Sequence, residues 1–155
     1  MRRPLLALSA LVALTLPAAA QQKMTWHVQQ SDESAALVFG VPESEEVLLF
    51  FVCKPGADAI TAQSQIGSKG LEREAAARLI LTAGSVKKTL AGKAVGSDES
   101  TSVDVEAPAK IADVKALLKG GSSLTVEVKG AKQKISLSGA GEALTAFEAA
   151  CKPKS

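Results

Sequence analysis

The sequence predicts a mainly β domain: an antiparallel β-sandwich or partly closed barrel of about nine short strands with one or two short α-helices, the last at the C-terminus. Three observations lead there. Short apolar or alternating stretches recur between Gly, Pro and Ser turns. Helical spacing of apolar residues appears only after Pro108 and near the C-terminus. Strands do not alternate with helices, as they must in a parallel sheet.

Taken in order, Thr25 to Gln30 alternates around Trp26 and Val28 and reads as a first strand, and the turn Ser31 to Ser34 leads to a second over Ala35 to Val41. Pro42 to Glu46 connects it to Val47 to Val52. That run is continuously apolar, which predicts a central strand covered on both faces, with Cys53 at its end and Pro55-Gly56 as the next turn. A weaker strand follows at Ala59 to Ile66, and Gly67 to Ala77 reads as loop or short helix. Arg78 to Ala83, Val86 to Ala91 and Thr101 to Glu106 are further strands, punctuated by Gly84, Gly92 and the acidic turn Ser97 to Ser100.

After Pro108 the period changes. Ile111, Val114, Leu117 and Leu118 share one face of a short helix that stops at Gly120-Gly121. Leu124 to Val128 and Lys134 to Leu137 form an alternating hairpin around Gly130. A last helix over Ala140 to Cys151 places Leu144, Phe147 and Cys151 on one face.

The N-terminus has the parts of an export signal. Arg2 and Arg3 precede an uncharged apolar stretch, Leu5 to Leu16, and Ala18-Ala19-Ala20 supplies the small residues of a cleavage site before Gln21. The stretch is shorter than the roughly 20 residues a membrane-spanning helix needs, and Pro17 follows it. Residues 1–20 are therefore expected to be a cleaved signal peptide, and residues 21–155 a single mostly β domain. The residues around the arginine pair match the fuller twin-arginine pattern poorly, so the general secretory route is expected, with a periplasmic or secreted product. The mature chain has no apolar run long enough to span a membrane.

Export changes the meaning of the cysteines and of the charge. Cys53 and Cys151 are the only two in the chain, and an even pair in an oxidising compartment predicts one disulfide. Cys151 lies on the buried face of its helix and Cys53 at the end of a core strand, so the pattern and the pairing agree. Taking Arg2 and Arg3 from the 18 basic side chains leaves them equal to the 16 acidic ones. A neutral mature domain without a basic stripe predicts neither a nucleic-acid nor an anionic-lipid partner. Trp26 and four phenylalanines are the only aromatics, which removes the exposed rings of a sugar or base platform. No asparagine is present to carry an N-linked glycan.

Motifs of chemistry resolve into structural readings. Gly139-Ala140-Gly141 follows a strand and opens a helix, but Leu144 stands where a dinucleotide fingerprint needs a small residue, and a tight strand-to-helix turn explains it. His27 is the single histidine, and Ser85-Val86-Lys87-Lys88 has S-x-x-K spacing inside a hairpin rather than at a helix start. Polar strand faces account for both. Asp98-Glu99 and Asp104 with Glu106 lack the spacing and glycine of a calcium loop. One histidine and two paired cysteines do not make a zinc site. No catalytic, metal or cofactor-binding residue is assigned, and no cofactor is expected.

The C-terminal third has a recognisable order: Val114-Lys115-Ala116-Leu117-Leu118-Lys119-Gly120-Gly121, then Leu124-Thr125-Val126, Ile135-Ser136-Leu137-Ser138-Gly139, and Ala143-Leu144 to Phe147 and Cys151. In this order it resembles small exported bacterial proteins of the invasion-associated locus B family, with looser similarity around Trp26 and Cys53. The resemblance implies a β-rich periplasmic protein with an envelope or host-contact role, and no catalytic residues to carry over. The expected function is a non-enzymatic binding domain for a protein or envelope component. The alternative is a small hydrolase or a carrier of an apolar ligand in a cavity between sheet and helix.

Overall fold

The computed structural model describes residues 23–96 and 102–153. The expected signal peptide, residues 1–20, and the acidic turn Ser97 to Ser100 lie outside the described residues.

The strands are β1 (Thr25–Gln30), β2 (Ala35–Gly40), β3 (Val47–Cys53), β4 (Ala59–Ser64), β5 (Ala76–Ala83), β6 (Val86–Val95), β7 (Asp104–Lys110), β8 (Ser123–Val128) and β9 (Ala131–Ser136). They form one sheet in the order β1-β2-β3-β4-β7-β6-β5-β8-β9, every pairing antiparallel, curled into a half-barrel. Two local meanders build it. β1 to β4 run edge to edge, β5 to β7 fold back so that β7 meets β4, and the β8–β9 hairpin joins the far side of β5. The expected partly closed barrel is therefore the observed form.

Alternation decides which side of the sheet is the core. Leu37, Phe39, Leu49, Phe51, Leu79, Leu81, Leu124 and Val126 are buried on the concave side. Helices α1 (Ile111–Leu118) and α2 (Ala140–Ala150) fill that side, burying Val114, Leu117 and Leu118 from one and Leu144 and Phe147 from the other. Fully burying a Leu or Phe side chain favours folding by about 1.5–3 kcal/mol, so this face dominates the packing energy. α1 packs against β5, β6 and β7, while α2 packs against β1 and β2.

The half-barrel is tied at two points. The Trp26 indole N–H, on edge strand β1, donates to the Ser136 carbonyl at the end of the opposite edge strand, β9, at 2.7 Å. The Trp26 ring also leans on Phe39 of β2, with ring centres 5.3 Å apart. Cys53 and Cys151 form the predicted disulfide, with Cα atoms 5.8 Å apart. Beside it, the Gly56 N–H donates to the Cys151 carbonyl at 2.9 Å, so the turn after β3 grips the end of α2.

Four expectations change. β3 is covered on one face only: Leu49, Phe51 and Cys53 are buried in the core, whereas Phe50 and Val52 face outward and are half-exposed. Residues 67–75 are loop, one of the two forms expected there, but β5 starts earlier than expected, at Ala76. β6 runs through Gly92 instead of ending there, because a Cβ at that position would lie 2.0 Å from the Glu106 carbonyl and 2.6 Å from the Ala107 side chain. Glycine marks a close approach of strands here, not a stop. β7 likewise runs through Pro108. The Glu106 carbonyl is turned toward β6, so two residues later the Pro108 nitrogen points to the same side, past the last β6 pairing, where no ladder bond is lost.

The disulfide closes a chain separation of 98 residues. In the chain-entropy account such a loop restricts the unfolded state by about 4–5 kcal/mol. The double variant Cys53→Ala, Cys151→Ala is expected to lose about 3–5 kcal/mol of unfolding free energy in urea titration. A change below about 1 kcal/mol would mean that packing of α2 alone holds this end of the fold.

Candidate functional site

The chemistry that remains lies outside the filled interior, on the outward face of the sheet and where α1 meets its splayed strands. Three features differ in kind.

The first is apolar. On β2 and β3, Val38 is only 3% exposed although it stands outside the core cluster. It is flanked in register by His27 on one side and Phe50 on the other. With Ala36, Val47 and Val52 it lines an open groove of about 530 Å³ rimmed by Gln29, Glu45 and Gln65. This is a second, outer hydrophobic cluster. The run Val47 to Val52 is continuously apolar because its alternate residues serve the two clusters separately.

A second region lies where β6 and β7 part. Their pairing covers only Lys93 to Val95 with Asp104 to Glu106. Beyond it, Leu90, Pro108, Ala109 and Ile111 line a mainly apolar groove of about 610 Å³, with Asp58, Lys110 and Asp113 also on its lining. Lys88 of β6 pairs with Asp113 of α1 at 2.6 Å, bracing the helix against the splayed strand.

The third feature is the distribution of charge. β5, β6, β8 and β9 with their connections carry Lys69, Arg73, Arg78, Lys87, Lys88, Lys93, Lys119, Lys129, Lys132 and Lys134 against Glu72, Glu74 and Glu127. β1 to β4 and β7 with theirs carry Asp32, Glu33, Glu43, Glu45, Glu46, Asp58, Asp104 and Glu106 against Lys23, Lys54 and Lys110. The neutral sum expected from the sequence conceals a basic half and an acidic half. Strand order sorts them, by placing β5, β6, β8 and β9 side by side.

The residues considered for catalysis are not assembled into a site. His27 lies on the outward face of β1, with Nδ1 3.1 Å from the Thr25 carbonyl oxygen and Nε2 3.3 Å from the Gln29 side-chain nitrogen. Ser85 sits in the exposed β5–β6 turn, and Lys88 is committed to Asp113. Gly139 takes φ +79° at the start of α2, the tight turn expected of it. Asp98 and Glu99 lie outside the described residues. Among the described residues no group of three His, Cys, Asp or Glu side chains is placed to hold a metal ion.

Asp104 and Glu106 do share a face of β7, in an open groove of about 380 Å³ with Gln63, Gln65 and Ser102. The Gly67 N–H donates to the Asp104 carboxylate at 3.2 Å, and the Ser68 hydroxyl donates to the Val103 carbonyl at 2.6 Å, so the two bonds together pin the segment leading to β5. Partial burial raises the Asp104 pKa above its ordinary value, with the Gly67 bond pulling the other way. Glu127 moves downward instead, held by Lys132 at 2.9 Å.

Comparison with protein-family models, with curated proteins and with solved structures yields no match for this chain.

The raised Asp104 pKa fixes the sign of a pH effect. The folded chain holds that proton more tightly than the unfolded one, so the associated stabilisation is complete below the ordinary value of 3.8 and is lost as pH rises through the folded value. Asp104→Asn keeps an acceptor for Gly67 and removes the ionisation. The variant is expected to be more stable than the parent at neutral pH, with the difference closing in acid, as read by urea midpoints at the two pH values. A constant difference across pH would assign the effect to packing.

Proposed function

We propose that this chain is an exported, non-enzymatic binding domain, processed before Gln21 by the general secretory route, that engages a protein or envelope component. The resemblance to the invasion-associated locus B family supports the envelope setting. The observation that carries the binding role is the outer groove of β2 and β3, where half-exposed Val47, Phe50 and Val52 stand around the buried Val38 inside a rim of Gln29, Glu45 and Gln65. Patches of this composition are characteristic of protein contact surfaces. An oxidising compartment also suits a disulfide that ties β3 to the last helix.

The expected processing is read by intact mass of the protein recovered from the periplasm or medium, which should begin at Gln21. Capture from an envelope extract should return a partner with the native protein and lose it with Phe50→Lys, whose core-facing neighbours Leu49 and Phe51 are untouched. Circular dichroism checks that the variant keeps its fold. No partner above background, or equal recovery by the variant, overturns the reading.

A second reading is favoured by the groove between β6, β7 and α1, whose lining is mainly apolar. It would take a single acyl-like ligand as a carrier does. Saturable binding of a fluorescent fatty acid that Leu90→Lys weakens by about tenfold or more, the scale of 1.4 kcal/mol, supports it. Binding that the substitution leaves unchanged places the ligand elsewhere and ends this reading.

A further inference from the structure

We infer that the outward face of β5, β6, β8 and β9 is an electrostatic docking surface for an anionic lipid layer. The inference deepens the envelope reading above, but it rests on export only for where such lipid would be met.

Register builds the surface. Across the four strands, Lys87, Thr82, Thr125 and Lys134 are successive cross-strand partners, so two lysines flank two threonines in one row on the outward side. The next row runs Thr89, Ile80, Glu127, Lys132. Arg78 stands one step further along β5, and Lys129 follows at the hairpin end, where both border an open groove of about 710 Å³. All five cations are exposed. Glu127 is the single acid in these rows, and Lys132 neutralises it.

The arrangement suits a flat, diffuse array of negative charge better than a compact anion. The cations on β5, β6 and β9 and in the β8–β9 turn span the width of four strands, about 14 Å at roughly 4.8 Å per step. The threonine hydroxyls between them can donate to phosphate oxygens. Near an anionic membrane each Lys or Arg strengthens adsorption by about fivefold, within a Debye length of the surface. The acidic half of the sheet orients the molecule, because the opposite side is repelled. No described helix is long and apolar enough to cross the membrane, so the contact envisaged is adsorption and not insertion.

The protein beginning at Gln21 is the form to test, since every described element lies beyond that residue. Sedimentation is compared on vesicles of phosphatidylcholine mixed with phosphatidylglycerol and on phosphatidylcholine alone. Binding is expected only to the mixed vesicles, falling steeply with added salt. The double variant Lys87→Glu, Lys134→Glu should bind at least about tenfold more weakly, and the milder Lys87→Gln, Lys134→Gln should fall between. Glu45→Gln, Glu46→Gln on the acidic half should cause no loss. Trp26 fluorescence verifies the fold of each variant. Equal binding to both vesicle types, salt-insensitive binding, or lysine variants that bind like the parent overturns the inference. So does binding of duplex DNA or heparin without binding of the mixed vesicles, which would make the face a polyanion site. Because purified protein and synthetic lipid are used, failure here leaves the export and partner-capture results standing on their own.

Discussion

The last helix holds distant parts of the sheet together, and the bond between Cys53 and Cys151 holds the last helix. α2 leaves the chain just after β9, at one edge of the half-barrel, yet packs on β1 and β2 at the other. Nothing in the ladder of strands requires that crossing. It is fixed by Leu144 and Phe147 seated in the core, by the disulfide to the end of β3, and by the Gly56 N–H on the Cys151 carbonyl. The Trp26 indole reaching the Ser136 carbonyl completes the closure from the opposite side. A sheet of nine strands left open would present two edges and an uncovered apolar face, both favourable sites for aggregation. The curl and the two helices cover the apolar face, while β1 and β9 remain the edges of the sheet, joined at the Trp26 to Ser136 bond.

Once the interior is filled in this way, the outer surface is what the molecule offers to others. Strand order then becomes a device for arranging charge. β5, β6, β8 and β9 are interrupted in sequence by β7 and α1, but they are neighbours in the sheet, and their outward positions bring Arg78, Lys87, Lys93, Lys132 and Lys134 together. A neutral total is compatible with strong local fields, because Coulomb attraction is felt over a Debye length of about 8–10 Å, much less than the width of this sheet.

Much of the fold was legible because it follows local rules. The β8–β9 hairpin alternates cleanly around Gly130, the helices show Val114 with Leu117 and Leu144 with Phe147, and Cys151 falls on the same face as its core neighbours. The misread positions are those where a distant strand sets the rule. Gly92 looks like a strand end until the Glu106 carbonyl is seen against it, and Pro108 looks like a break until β6 is seen to have turned away. Phe50 and Val52 read as core because apolar composition does not say which of two clusters a residue serves. The basic half was invisible for the same reason: the pairings of β4 with β7 and of β5 with β8 have no local signature. Asp104 carried a weak signal, as an acid alternating with Val103 and Val105, but its bond to Gly67 is a product of tertiary approach.

The two surfaces proposed above are compatible with one another. Only β4 and β7 lie between β3, which carries Phe50, and β6, which carries Lys87, roughly 14 Å along the sheet at about 4.8 Å per strand, and the curl turns the outward normals apart over that distance. A molecule resting on negative charge through Lys87 and Lys134 therefore leaves Val38 and Phe50 free. The acids Glu45 and Glu46, beside the apolar cluster, keep that side from settling on the same surface. On the two proposals made above, segregated charge and the outer apolar cluster would assign adsorption to one side of the sheet and a more specific contact to the other.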